Sequence, residues 1–125
     1  MPRKALQPDG LAVPKPPYSP VVVSGDTVYT AGQTGVDAAG SLVEGGIAEQ
    51  ARQTLENVRT CVEAAGCTMG DVVKVNAYLA DLGDFPAYNE VYVEFFDGPH
   101  PARTSVQAGL PAGVLIEIEA VARRT

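Results

Sequence analysis

The sequence predicts a two-layer α+β domain: a mixed β-sheet with two helices on one face. Three observations carry that expectation. Runs with a two-residue period lie toward both ends of the chain, one long stripe at helical spacing occupies residues 46–65, and no repeat or linker divides the 125 residues. The predicted order is β-β-(β)-α-β-α-β-β.

Residues 1–17 hold Pro2, Pro8, Pro14, Pro16 and Pro17. Proline fixes φ and removes a donor, so this stretch reads as an extended N-terminal arm before a single domain over 18–125. Val21-Val22-Val23 and Thr27-Val28-Tyr29-Thr30 flank Ser24-Gly25-Asp26, the pattern of a β-hairpin. Residues 34–46 read as loop, with room for a short strand at Leu42-Val43. Ile47, Ala51, Leu55, Val58, Val62 and Ala65 then step by three and four, one face of a helix that Gly66 can stop. Val73, Val75, Ala77 and Leu79 alternate with Lys74, Asn76 and Tyr78 as in a strand with one face on a core. Asp84 is placed to cap a second helix with Pro86 in its first turn and Phe85, Tyr88, Val91, Tyr92 and Phe95 on its apolar side. The last quarter reads as a second hairpin, Arg103–Ala108 and Val114–Ala122, around a turn holding Pro111.

Composition excludes several function classes. Nine Lys and Arg against fifteen Asp and Glu give a net charge of −6, so the clustered basic surface that nucleic-acid binding requires is not expected. No run of eighteen apolar residues exists, and Met1-Pro2-Arg3-Lys4 does not open an apolar leader; a cytoplasmic protein without membrane contact is expected. Cys61 and Cys67 form no C-x-x-C, and His100 is the single histidine. Neither a metal site nor an organic cofactor is predicted, and no dinucleotide or phosphate-binding glycine motif occurs.

If the apolar faces of the last hairpin align, Arg103, Ser105, Glu117 and Glu119 share the sheet face away from the helices. Leu115, Val121, Val72 and Tyr78 would lie there too, and such a mixed face suits a subunit interface better than open solvent. Arg103 is either a surface cation or a fork that grips a carboxylate. Glu117 is either a solvated carboxylate or a group that orients and deprotonates water. Tyr18 and Asn89 read as a packing aromatic and a surface amide.

Pro101-Ala102-Arg103-Thr104-Ser105, Leu110-Pro111 and Ile116-Glu117-Ile118-Glu119-Ala120-Val121-Ala122 closely resemble the C-terminal signature of the reactive intermediate deaminase family (RidA/YjgF), also labelled endoribonuclease L-PSP. Ala31-Gly32-Gln33, Gln50–Val58, Val62–Gly66 and Phe85-Pro86-Ala87-Tyr88-Asn89 support it, so the likeness runs from about Tyr18 to Ala122. The resemblance implies a chorismate-mutase-like fold and a homotrimer with clefts between subunits. It also implies cofactor-free hydrolysis of 2-aminoacrylate or 2-iminopropanoate to the 2-keto acid and ammonia. Carried over by position, Arg103 binds the carboxylate, Glu117 positions the water, Tyr18 lines the cleft and Asn89 adds a polar contact. The backbone at Gly32 and Ser105 completes the pocket. Ala31 stands where the family often has serine and Ser105 where it often has cysteine. The segment from Arg103 to Leu110 is one residue short, as if a bulge were removed. The same arginine would also serve a non-catalytic keto-acid sensor or another deaminase or hydrolase. A ribonuclease fits least, given the acidic charge and the lone His100.

Overall fold

The computed structural model describes residues 2–125. Six strands form one sheet in the order β1-β2-β3-β6-β4-β5, with two helices on one face. The hairpin of Val21–Ser24 (β2) and Thr27–Thr30 (β3) closes at Gly25, whose φ of +59° requires glycine. The arm is more than a tether. Lys4–Leu6 (β1) adds antiparallel to β2, between Pro2 and Pro8, where no proline interrupts the ladder. The short strand expected at Leu42-Val43 is reduced to a bridge between Val36 and Leu42.

Ile47–Ala64 (α1) presents Ala51, Leu55, Val58 and Val62 to the sheet, each fully buried. Truncating Leu55 to alanine would cost about 2–5 kcal/mol. Gly66, at φ +84°, ends the helix. Val72–Leu79 (β4) follows, then Phe85–Tyr92 (α2), Ala102–Gln107 (β5) and Ile116–Arg123 (β6). The Asp84 side chain does not cap α2. Asp81 Oδ1 instead accepts from Gly83 N at 2.8 Å in the turn before it.

Two sequence expectations about the sheet are corrected. β5 and β6 are not a hairpin: β6 inserts between β3 and β4, and β5 lies parallel to β4 at the edge. Ile116, Ile118, Ala120 and Ala122 are at most 2% exposed, which demands a central strand, whereas Ala102, Thr104, Val106 and Gln107 are exposed. The parallel pairing needs a crossover, and α2 supplies it. Val72 does not lie on the face away from the helices. A register shift between Val72 and Lys74 turns Val72 into the core and leaves Val73 47% exposed. The β4–β5 ladder itself runs unbroken from Lys74↔Ala102 to Leu79↔Gln107. Among the described residues, no helix is long and apolar enough to cross a membrane.

Candidate active site

The pairing registers decide where the candidate residues point. Arg103 lies beside Val75 and Ser105 beside Ala77, and both of those β4 residues face the helices. Arg103 and Ser105 therefore face α2, contrary to the expectation that they share a face with Glu117. Glu117 and Glu119 pair with Tyr78 and Asn76 on the opposite face. The parallel placement of β5 is the cause, because it changes which residues of β5 line up with the buried positions of the sheet.

On the helix side, Arg103 Cζ sits 4.7 Å from the ring centre of Tyr92, 5.1 Å from Tyr88 and 5.3 Å from Phe85. The rings come from one face of α2, spaced three and four residues apart, and pack edge to face with one another. Aromatic faces attract a guanidinium without consuming its N–H donors. Among the described residues the ion pairs are Arg52–Glu94 and Arg59–Glu56, so Arg103 keeps its charge uncompensated. Asn89, Tyr92, Val93, His100, Pro101 and Arg103 line a cavity of about 250 Å³. The Oγ of Ser105 and the hydroxyls of Tyr88 and Tyr92 are buried without a hydrogen-bond partner. Burial pushes the Tyr92 phenol up to about 12.

On the other face, Tyr18, Ala31, Gly32, Thr34, Pro111 and Glu117 line a separate cavity of about 400 Å³. The Glu117 carboxylate lies against the Gly32 backbone so closely that a Cβ there would collide with it. Burial, and secondarily the Glu119 carboxylate, push the Glu117 carboxyl above the usual range. Glu119 is itself held, accepting from Tyr78 OH at 3.1 Å and from Asn76 Nδ2 at 3.4 Å. Two buried amides of α1 fix the loops around this cavity. Asn57 Nδ2 donates to Thr34 O and Val36 O, while Gln50 bridges Gly113 O and Leu115 N.

The structure thus groups the six candidates in two sets. Arg103, Ser105 and Asn89 lie on the α2 side; Glu117, Tyr18 and Gly32 lie on the other. The α2 rings around Arg103 were not foreseen as site residues. Their helical spacing reads as a core stripe, and only the neighbouring arginine reveals a second use.

A cation without an ionic partner facing one cavity suits a small anion, and a carboxylate of raised pKa facing another suits proton transfer, both borne on an α+β scaffold. The comparisons specify which scaffold. A family model described as Endoribonuclease L-PSP matches residues 11–124. A 2-iminobutanoate/2-iminopropanoate deaminase of Homo sapiens is 48% identical over 108 residues, covering 85% of this chain and 79% of that protein. A RutC family protein of Pyrococcus horikoshii is also 48% identical, over 87% of this chain and 90% of that protein. Among solved structures, RidA from an Antarctic Psychrobacter superposes with a TM-score of 0.92 at 41% identity, over 97% of this chain and 99% of that one. E. coli TdcF with bound serine matches with a TM-score of 0.92 at 38% identity, over 98% and 99%. The chain belongs to the reactive intermediate deaminase (RidA/YjgF, endoribonuclease L-PSP) family.

Proposed function

We propose that this protein is a 2-iminobutanoate/2-iminopropanoate-type deaminase, which hydrolyses imines and their enamine tautomers to 2-keto acids and ammonia. The observation that carries the reading is the Arg103 guanidinium, held by three rings and left without an ionic partner. Curated relatives at 45–48% identity bear the deaminase name. In this reading, Arg103 grips the substrate carboxylate through two parallel N–H donors, with Asn89 and the Ser105 backbone beside it. Glu117 takes a proton from water as the oxygen attacks C2 of the imine. Glu117 passes that proton to the imine nitrogen, giving the carbinolamine. It then takes the carbinolamine hydroxyl proton as the C=O forms and delivers it to the amine as the C–N bond breaks, releasing ammonia. An imine is already activated toward water, so positioning and proton transfer suffice without a cofactor.

One chain cannot hold a substrate between groups on opposite faces of its own sheet, so we infer that the cleft forms between copies. Arg103, Ser105 and Asn89 come from one subunit and Glu117, Tyr18 and Gly32 from the next, in a closed homotrimer of chorismate-mutase-like subunits. Tyr29, Val73 and Val106 leave the face away from the helices at 43–47% exposure, and Tyr18 is 52% exposed. That is a surface suited to burial against another copy. The setting is cytoplasmic, with a small carboxylate as the partner and no nucleic acid or membrane.

The test generates 2-iminopropanoate in situ with an amino-acid oxidase and follows semicarbazone formation. The expected result is a fall in trapped imine with keto acid appearing in its place. Trapping unchanged by the protein, together with stabilisation by pyruvate, would instead indicate a keto-acid sensor.

A further inference from the structure

The α2 side of the site holds more polar atoms than a carboxylate grip needs. Tyr88 is fully buried, yet its hydroxyl lacks a hydrogen-bond partner, as does Ser105 Oγ. Buried hydroxyls are nearly always paired, because an orphaned one costs about 1–3 kcal/mol. Phenylalanine would fill the same core volume without that cost. Ser105 and the Arg103 guanidinium both lie close enough to the Tyr88 hydroxyl to act on its proton, yet it is left without a hydrogen-bond partner. Both neighbours lie on β5, one pleat apart on the same face, so the hydroxyl stands between the cation and the serine. Three rings hold the guanidinium at 4.7–5.3 Å, but ring faces do not fix its rotation about its own plane.

We propose that Tyr88 is a positioning residue for Arg103: with a carboxylate bound, its hydroxyl accepts an N–H of the guanidinium and donates to Ser105 Oγ, locking the fork. A small rotation of the guanidinium onto the substrate brings its inward N–H to Tyr88 and satisfies both orphaned hydroxyls together. Burial keeps the Tyr88 phenol protonated, so the donor toward Ser105 persists across the working range. The placement also gives Ser105 a side-chain function in addition to its backbone contact. The proposal rests on Arg103 as the carboxylate anchor, not on the later hydrolytic step.

Tyr88→Phe keeps the ring and removes one oxygen. Calorimetry with 2-oxobutanoate should show affinity weakened about five- to tenfold, with KM for the imine raised equally and kcat within twofold. Its melting temperature should stay level or rise, since an orphaned hydroxyl is removed; a purely structural role would lower it and spare KM. Ser105→Ala should weaken 2-oxobutanoate two- to fivefold, and adding it to Tyr88→Phe should cost nothing further. Unchanged oxo-acid affinity in Tyr88→Phe, or fully additive losses in the double variant, would overturn the proposal. If Tyr88→Phe failed to fold, Ser105→Ala with unaltered affinity would overturn it equally. A wild-type protein that binds 2-oxobutanoate but hydrolyses no imine would defeat the deaminase reading and leave the Tyr88 lock standing. One that does neither would remove both.

Discussion

The two cavities solve opposite electrostatic problems. On the α2 side a cation is surrounded by Phe85, Tyr88 and Tyr92, whose faces stabilise its charge without neutralising it. On the other side Glu117 sits near a second carboxylate, against a glycine backbone, where its charge is disfavoured. The first half wants an anion; the second wants a proton. In the proposed reading neither half is complete alone, and a carboxylate substrate that gains and then loses a proton satisfies both. On that proposal, catalytic polarity comes from withholding the obvious partner at each group. A direct Arg103–Glu117 salt bridge would have satisfied both charges and left nothing for the substrate.

The largest expected effect breaks the cationic half. Arg103→Ala should reduce imine hydrolysis by at least about a hundredfold, since a charge-assisted bidentate pair and the substrate's alignment are lost together. Arg103→Lys should recover little, because a point charge cannot reproduce the fork. Near-wild-type turnover in a folded Arg103→Ala protein, read by the semicarbazone trap, would move the anchor elsewhere.

A second experiment asks whether the halves belong to different chains. Arg103→Ala and Glu117→Gln should each be inactive when refolded alone. Refolded as an equal mixture, a cleft is intact when a Glu117→Gln chain supplies the arginine and an Arg103→Ala chain supplies the glutamate. With one interface type that chance is about a quarter, so activity should recover toward a quarter of wild type. Mixed oligomers verified by native mass spectrometry but without recovery would put both groups in one subunit's cleft.

Within the carboxylate half, Gly32→Ala is expected to cost about ten- to a hundredfold in kcat with little change in oxo-acid affinity. The added methyl takes the space of the Glu117 carboxylate, and a catalytic group displaced by about 1 Å loses on the order of a hundredfold. A collapse of affinity with kcat preserved would make Gly32 part of the carboxylate grip instead.

The contrast also marks what the sequence makes legible. The hairpin at Gly25, the α1 stripe, the alternation of β6 and that of β4 from Val75 onward are local patterns, and the structure follows them. The partner of β5 is not local. Alternation says that Arg103 and Ser105 share a face, but only the parallel register with Val75 and Ala77 says which one. The Val72/Lys74 bulge is likewise silent in the sequence, because a bulge costs one residue of phase without leaving a distinctive residue type. Arg103 and Glu117 are nameable from a motif, yet their separation onto opposite faces depends on sheet order, which no short motif encodes.

The smallest effect probes the acidity of the carboxylate half. In the proposed mechanism Glu117 must be ionised to take a proton from water, so activity should fall as pH drops through its raised pKa. Burial is the main cause of the elevation and Glu119 the lesser one. Tyr78 faces it across β4 and Tyr18, Gly32 and Thr34 line its cavity, so among the described residues the charged group acting on it is Glu119. Glu119→Gln should therefore move the acid limb of the kcat/KM profile to lower pH by a few tenths to about one unit, leaving the burial contribution in place. Stability should carry the same sign. Because the folded-state pKa of Glu117 lies above its unfolded value, its contribution to stability is full below the unfolded pKa and is lost as pH rises through the folded one. Glu117→Gln abolishes that loss. The variant should melt at least as high as wild type at pH 7, with the difference closing toward pH 4. A Glu117→Gln protein that is less stable at pH 7 than at pH 4, relative to wild type, would show instead that the ionised carboxylate is a net stabilising partner in the assembled cleft.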